Sequence, residues 1–167
     1  MEGYIHQLNC SDGGVPKRAV AAAELTPAGL VGDRQAHPLI HGGPDRAVCL
    51  YALEVITALQ AEGHPIHPGS VGENVTVAGL DWAQLAPGTR LALGDEVVVE
   101  ITKPANPCDS IAGSFADGEF KRISQKLHPG QSRLYARVLR AGRLAAGQPV
   151  RVLPPNGDGQ TAEPAAS

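Results

Sequence analysis

Hydrophobic and polar positions alternate in short runs along most of this chain, and in one stretch they follow a helical spacing instead. In YALEVITALQAEG, residues 51–63, Leu53, Ile56, Leu59 and Gln60 recur three and four apart, which places them on one face of an α-helix. Gly63 stands where a left-handed cap would close it. GYIHQLNCS, starting at Gly3, alternates and runs into SDGG, the pattern of a strand followed by a turn. RAVAAAEL, starting at Arg18, reads as a second short strand or, from its alanines, as helix. From Thr26 to Asp45 periodicity fades into TPAGLVGD and HPLIHGGPD, which predict long loops of the kind that carry sites. ENVTVAGL, TRLALGDEVVVEIT and LYARVLRAGRLAAGQPVRVL then bring β-branched residues, period-two stretches and glycine turns at short intervals. This half is strand-dominated, and the turn-then-strand wording of PGTRLALGD and AAGQPVRVL is that of a small closed barrel.

Composition narrows the function classes. A length of 167 residues suits one domain that buries its own core, and 20 glycines and 14 prolines agree with many turns between short strands. A formal net charge of -3 gives no global attraction to nucleic acid or an anionic membrane, so small molecules are the expected partners. No stretch approaches the roughly 20 apolar residues of a membrane span, and MEGYIHQLNCSDGG lacks a signal-peptide core; a cytoplasmic protein is expected. Residues 154–167, PPNGDGQTAEPAAS, have the composition of a disordered tail, leaving residues 1–153 as the domain.

The three cysteines include no CxxC pair, which argues against a disulfide scaffold and a cysteine-rich zinc site. Cys10 and Cys49 lie in strand-like apolar runs and are expected as small buried hydrophobes. Cys108 differs: it sits in PANPCDSI, where Pro104 and Pro107 stiffen the loop and Asn106, Asp109 and Ser110 make it polar, so a thiol held outward is expected. A second set of candidates lies in glycine-bearing loops. GGVPKRAV supplies Lys17 and Arg18, VGDRQ supplies Arg34, and HGGPDRAVCLY supplies His41, Gly42, Gly43, Asp45 and Arg46. Together these form an anion site, through close backbone N–H groups and cationic side chains, or they are surface pairs, Asp33 with Arg34 and Asp45 with Arg46. His37 and His41, and His64 and His67, are spaced for metal, but proline or glycine breaks each pair and no HExxH accompanies them. GxSxG, Walker A and GxGxxG are also missing from the sequence.

Taken in order, SDGGVPKRAV, GLVGDRQ, HGGPDRAVCLY, PGSVGENVTVAGLDW, LALGDEVVVEITKPANPCDSI and SRLYARVLRAGRLAAGQPV resemble the MOSC family, the module named after the C-terminal domain of molybdenum cofactor sulfurases. The resemblance runs from about residue 3 to residue 153 and is strongest to the short stand-alone bacterial type, similar to enzymes that reduce N-hydroxylated bases such as 6-hydroxylaminopurine. It implies a mainly β fold, a MOSC-type β-barrel with a few peripheral helices. The barrel is expected to stand without an aminotransferase-like, pyridoxal-phosphate-dependent sulfurase domain before it, and so not to take sulfur from free cysteine itself.

The same resemblance implies roles. Cys108 would ligate the molybdenum of the molybdenum cofactor (Mo-molybdopterin), or carry a persulfide. Lys17, Arg18, Arg34 and Arg46 would contact the cofactor phosphate, Gly42, Gly43 and Asn74 would give close backbone or amide contacts, Asp45 would orient Arg46, and His41 would bond pterin or substrate. The implied activity is reduction of a small N-hydroxylated substrate by N–O cleavage at molybdenum. With too few cysteines for a four-cysteine cluster, electrons would come from a separate donor protein. The competing expectation is a non-catalytic carrier of cofactor or persulfide sulfur that delivers to another enzyme; oligomeric state stays open.

Overall fold

The computed structural model describes residues 2–34 and 43–155; the expectations resting on His37, His41, Gly42 and residues 156–167 lie outside the described residues. Eleven strands are formed there, β1 (Glu2–Cys10), β2 (Arg18–Val20), β3 (Ala22–Thr26), β4 (Gly29–Leu30), β5 (Val48–Ala52), β6 (Val75–Ala78), β7 (Arg90–Leu93), β8 (Val97–Pro104), β9 (Leu134–Arg140), β10 (Gly142–Ala145) and β11 (Pro149–Val152). One α-helix, α1 (Leu53–Ala61), and several short 3-10 turns complete them.

Seven strands close on themselves in the order β11, β7, β8, β9, β5, β6, β1, with β1 pairing back onto β11 through Tyr4 and Pro149. The expected mainly β barrel is therefore present. Its long first strand serves three neighbours: the start of β1 pairs with β11, its middle with β6 and its end with β2. β5 and β6 run parallel, with α1 beginning the connection between them, as a parallel pair requires a crossover. RAVAAAEL resolves into β2 and β3 rather than helix, and the predicted loop from Thr26 contains the small β3–β4 hairpin, which joins β10 in a separate three-stranded sheet.

The periodicities explain the core. In β8 the pattern VVVEIT buries Val97, Val99 and Ile101 on one face, while β5 is apolar throughout and buried at every position. Ile5, Leu8, Leu50, Leu91, Leu93 and Val150 meet them inside the barrel with no exposed surface. Burial of each such side chain contributes roughly 1.5–3 kcal/mol, which suffices without disulfides. α1 turns Ile56 and Leu59 inward, and the Gly63 amide bonds Gln60 O at φ 101, the left-handed stop that the sequence predicts. The helix starts at Leu53, the first position of the apolar spacing and two residues into the stretch read as helical, because Tyr51 and Ala52 belong to β5.

Candidate functional site

β8 leaves the barrel at Pro104, and the chain between it and the 3-10 turn Asp109–Ser114 carries Cys108. Pro107 fixes the residue just before it, and Ile111 N bonds Cys108 O at 3.2 Å, so the thiol stands at the head of a stiff loop. Cys108 Sγ lies 2.8 Å from Ser110 Oγ. The thiol is half-buried and faces a cleft whose other walls come from distant parts of the chain: Gly14, Val15 and Lys17 before β2, Arg34 after β4, Cys49 on β5, Val71 and Gly72 before β6, and Arg133 and Tyr135 at β9.

The cleft has a buried polar support behind it. Lys17 Nζ donates to Asp33 Oδ2 at 2.6 Å, with both side chains 5% exposed. Asp33 also accepts from Asn74 Nδ2 at 2.9 Å and from Ser11 N at 2.9 Å. Asn74 Oδ1 in turn accepts from Cys49 N at 3.0 Å, which ties this network to the strand that lines the cleft. A single carboxylate thus joins β1, the β2 approach and the β5–β6 pair. A neighbouring network centres on Glu73, fully buried, whose Oε2 accepts from Gly69 N at 2.9 Å and Thr76 Oγ1 at 2.8 Å. Among the described residues Glu73 Oε1 has no hydrogen-bond partner, and burial pushes the pKa of this carboxyl above its ordinary value.

Three of the expected site residues, Lys17, Arg34 and Cys108, come together in the cleft. Lys17 is there, but its charge is matched by Asp33, and the pairing expected between Asp33 and Arg34 does not form. Arg34 instead lies 3.5 Å from Asp12, a highly exposed pair that leaves the guanidinium at the rim. Asn74 supports the cleft from behind. Arg18, on β2 opposite Cys10, is exposed and is not among the lining residues. Gly43 precedes the turn Pro44–Arg46 at φ 100, Arg46 lies over the Tyr135 ring at 5.7 Å, and Asp45 faces Arg137 Nε at 3.3 Å rather than Arg46.

Sequence reasoning passed over Arg133, Tyr135 and Glu73, and it read Ser110 only as a polar neighbour of Cys108 and Asp33 only as a partner for Arg34. The signal for two of these was the alternation in SRLYA: Arg133 and Tyr135 stand two apart, on one face of the strand, and both line the cleft. Arg133 is 8% exposed, its Nη1 donates to Val71 O at 2.8 Å and its Nη2 reaches Asn106 O at 3.4 Å. Tyr135 is pushed up to about 12, chiefly by burial and by the Cys49 thiol, against the Arg133 and Arg46 guanidiniums, with the Cys108 thiol adding to the rise. Cys49, Cys108 and Arg133 line the same cleft as this ring, and Arg46 lies over it. Cys49 is buried as expected and burial pushes it up to about 11, yet it too lines the cleft; Cys10 is half-buried rather than enclosed.

Residues 37–151 match the MOSC domain, and the chain belongs to the MOSC domain family, whose members are generally associated with molybdenum cofactor binding. Among its relatives, YflK of Bacillus subtilis, an uncharacterized protein, is 35% identical over 142 residues, covering 84% of this chain and 63% of YflK. A protein of Gibberella moniliformis named Reductase is 28% identical over 130 residues, covering 75% of this chain and 22% of that protein. The chain thus spans less than two thirds of the length of either. The crystal structure of YiiM from Geobacillus stearothermophilus superposes with a TM-score of 0.71 at 23% identity, covering 91% of this chain and 75% of that one, which shows the shared fold. Among the described residues no helix is long and apolar enough to cross a membrane.

Proposed function

We propose that this protein holds the molybdenum cofactor in the Cys108 cleft and reduces small N-hydroxylated molecules. The observation that carries the reading is the pairing, in one cleft, of an outward thiol with cationic side chains, Arg34 at the rim and Arg133 at depth. That donor set suits an anionic, thiol-seeking group: sulfur for the metal, guanidiniums for phosphate or other oxyanions. A buried guanidinium nitrogen without a partner among the described residues, Arg133 Nε, marks the same place as electrostatically unfinished. The relative named Reductase supports the reaction class.

When bound, the molybdenum cofactor supplies the two-electron chemistry that cleaves an N–O bond, with electrons from a separate donor protein. The chain's own residues do the rest. Cys108 presents sulfur from a loop stiffened by Pro104 and Pro107, and Ser110 Oγ fixes its direction. Val15, Val71 and Ile111 give the cleft apolar walls that thin the water around a bound molecule, which strengthens every polar contact inside. The Lys17–Asp33–Asn74 web keeps those walls in register by holding the loops from within the barrel. Tyr135, with Arg46 over its ring, offers a flat surface to a planar substrate.

The test is molybdenum and pterin content after expression in a host that makes the cofactor, for wild type and Cys108→Ala together. Near-stoichiometric metal and pterin in wild type, metal lost in the variant, and turnover of an N-hydroxylated base with an artificial electron donor are the expected results. Well-folded wild type devoid of both, alongside a control molybdoenzyme that loads, overturns the reading; cyanide-labile sulfur on Cys108 in that protein would point to a persulfide carrier.

A further inference from the structure

We infer that Arg133 makes the depth of the cleft an anion-binding site, which takes a phosphate or carboxylate group of a molecule bound beside Cys108. The assignment rests on the reading of this cleft as a ligand site and deepens it by naming the charge recognised there. The other cations are accounted for: Lys17 faces Asp33 at 2.6 Å, and Arg34 turns to Asp12 at the exposed rim. Arg133 differs from both. It is 8% exposed and, among the described residues, makes no ion pair. Among the described residues, its Nη1 and Nη2 donate to the neutral carbonyls of Val71 and Asn106, and Nε has no acceptor.

A guanidinium is always charged, and neutral acceptors do not balance it in a desolvated site. Two groups near it fail to supply the missing charge. Among the described residues Glu73 forms no ion pair with Arg133 and spends its Oε2 on Gly69 N and Thr76 Oγ1, and Cys49 is held as a thiol by its own burial. Val71 and Asn106, whose carbonyls grip the guanidinium, are themselves lining residues from two different loops, so the cation bridges those loops beside Cys108. An anion entering the cleft provides the absent counter-charge where the surrounding low dielectric makes it most effective.

The experiment uses the full chain without cofactor and reads alkylation of Cys108 by peptide mass spectrometry. Neutral iodoacetamide and anionic iodoacetate are compared, because their rate ratio cancels the thiolate fraction. Inorganic phosphate is compared with chloride at equal ionic strength. Wild type is expected to show an iodoacetate-to-iodoacetamide ratio that phosphate lowers several-fold; Arg133→Met is expected to start at the lowered ratio and ignore phosphate, with Arg133→Lys between. A wild-type ratio that phosphate does not move beyond chloride overturns the inference whether or not Arg133→Met folds, and so does a folded Arg133→Met that behaves as wild type. Two further arms identify the source of the anion. Loss of released pterin from Arg133→Met made in a cofactor-producing host assigns it to the cofactor, whereas full pterin with KM raised only for a carboxylate-bearing hydroxylamine assigns it to substrate. Because the labelling is done without cofactor, failure of wild type to load molybdenum overturns the reductase reading and leaves this one standing.

Discussion

Lys17 Nζ and Asp33 Oδ2 meet at 2.6 Å with each side chain 5% exposed, while the Arg34 guanidinium next in sequence reaches only 3.5 Å from Asp12 in open solvent. One charge pair is structural and the other is superficial. Asp33→Ala strands a buried ammonium and removes the acceptor of Ser11 N and Asn74 Nδ2, so a loss of about 3–5 kcal/mol is expected. Arg34→Ala is expected to change stability by less than about 1 kcal/mol. Urea unfolding of both variants checks the contrast, and similar losses in the two would contradict it.

The cysteines are expected to separate by reactivity. Cys49, pushed up to about 11, has about a thousandth of its thiol ionised at pH 8, whereas Cys108 stands at the cleft in a polar loop. Brief iodoacetamide treatment of native protein at pH 8 should therefore modify Cys108 and leave Cys49 untouched, with both modified after unfolding. Mass spectrometry of the peptides decides it, and early modification of Cys49 in the native protein would show that β5 opens or that its thiol is less buried than described.

What was legible in the sequence follows from range. Local signals held: the helix face of Ile56 and Leu59, the Gly63 stop, and the stiff exit of the Cys108 loop each depend on residues a few positions apart. The barrel class was legible from turn spacing, yet its closure by Tyr4 against Pro149 and the parallel pairing of β5 with β6 were not, because nothing local encodes partners so far apart. The same limit governs the site. Arg34 is adjacent to Asp33 in sequence, but the acid turns to Lys17, 16 positions away, because the fold brings that ammonium into the barrel wall. Arg133 escaped notice since its role comes from being held between Val71 and Asn106, two loops separated from it by 62 and 27 positions.

Gly69 has a steric duty that a left-handed glycine in open space lacks. Its φ is +88, and a Cβ there would lie 2.4 Å from Lys17 O, on the segment whose amide bonds Gly69 O at 2.8 Å. Gly147 has a similar φ of +91 with nothing within 4 Å. Gly147→Ala should show only the backbone penalty of about 1–2 kcal/mol. Gly69→Ala should exceed it clearly and also loosen the Lys17–Asp33 pair, seen as faster amide hydrogen exchange at Lys17. Equal melting temperatures for the two variants would refute the distinction.

Glu73 adds a pH dependence whose sign follows from its burial. Its folded-state value is raised above the ordinary 4.5, mainly by full burial, and the bonds from Gly69 N and Thr76 Oγ1 only oppose that rise. The folded state therefore binds this proton more tightly than the unfolded chain does. Its contribution to stability is complete below about 4.5 and declines as pH rises from there through the raised folded value, where ionisation leaves an unpartnered Oε1 as part of a buried charge. Glu73→Gln keeps an oxygen for Gly69 and Thr76 and cannot ionise. Thermal unfolding between pH 5 and 8 should show a fall in wild type that is flattened in the variant, on top of whatever slope the other groups give both proteins. Parallel curves would mean that Glu73 titrates alike in the folded and unfolded chain, and the buried carboxyl would then need a partner not among its present neighbours.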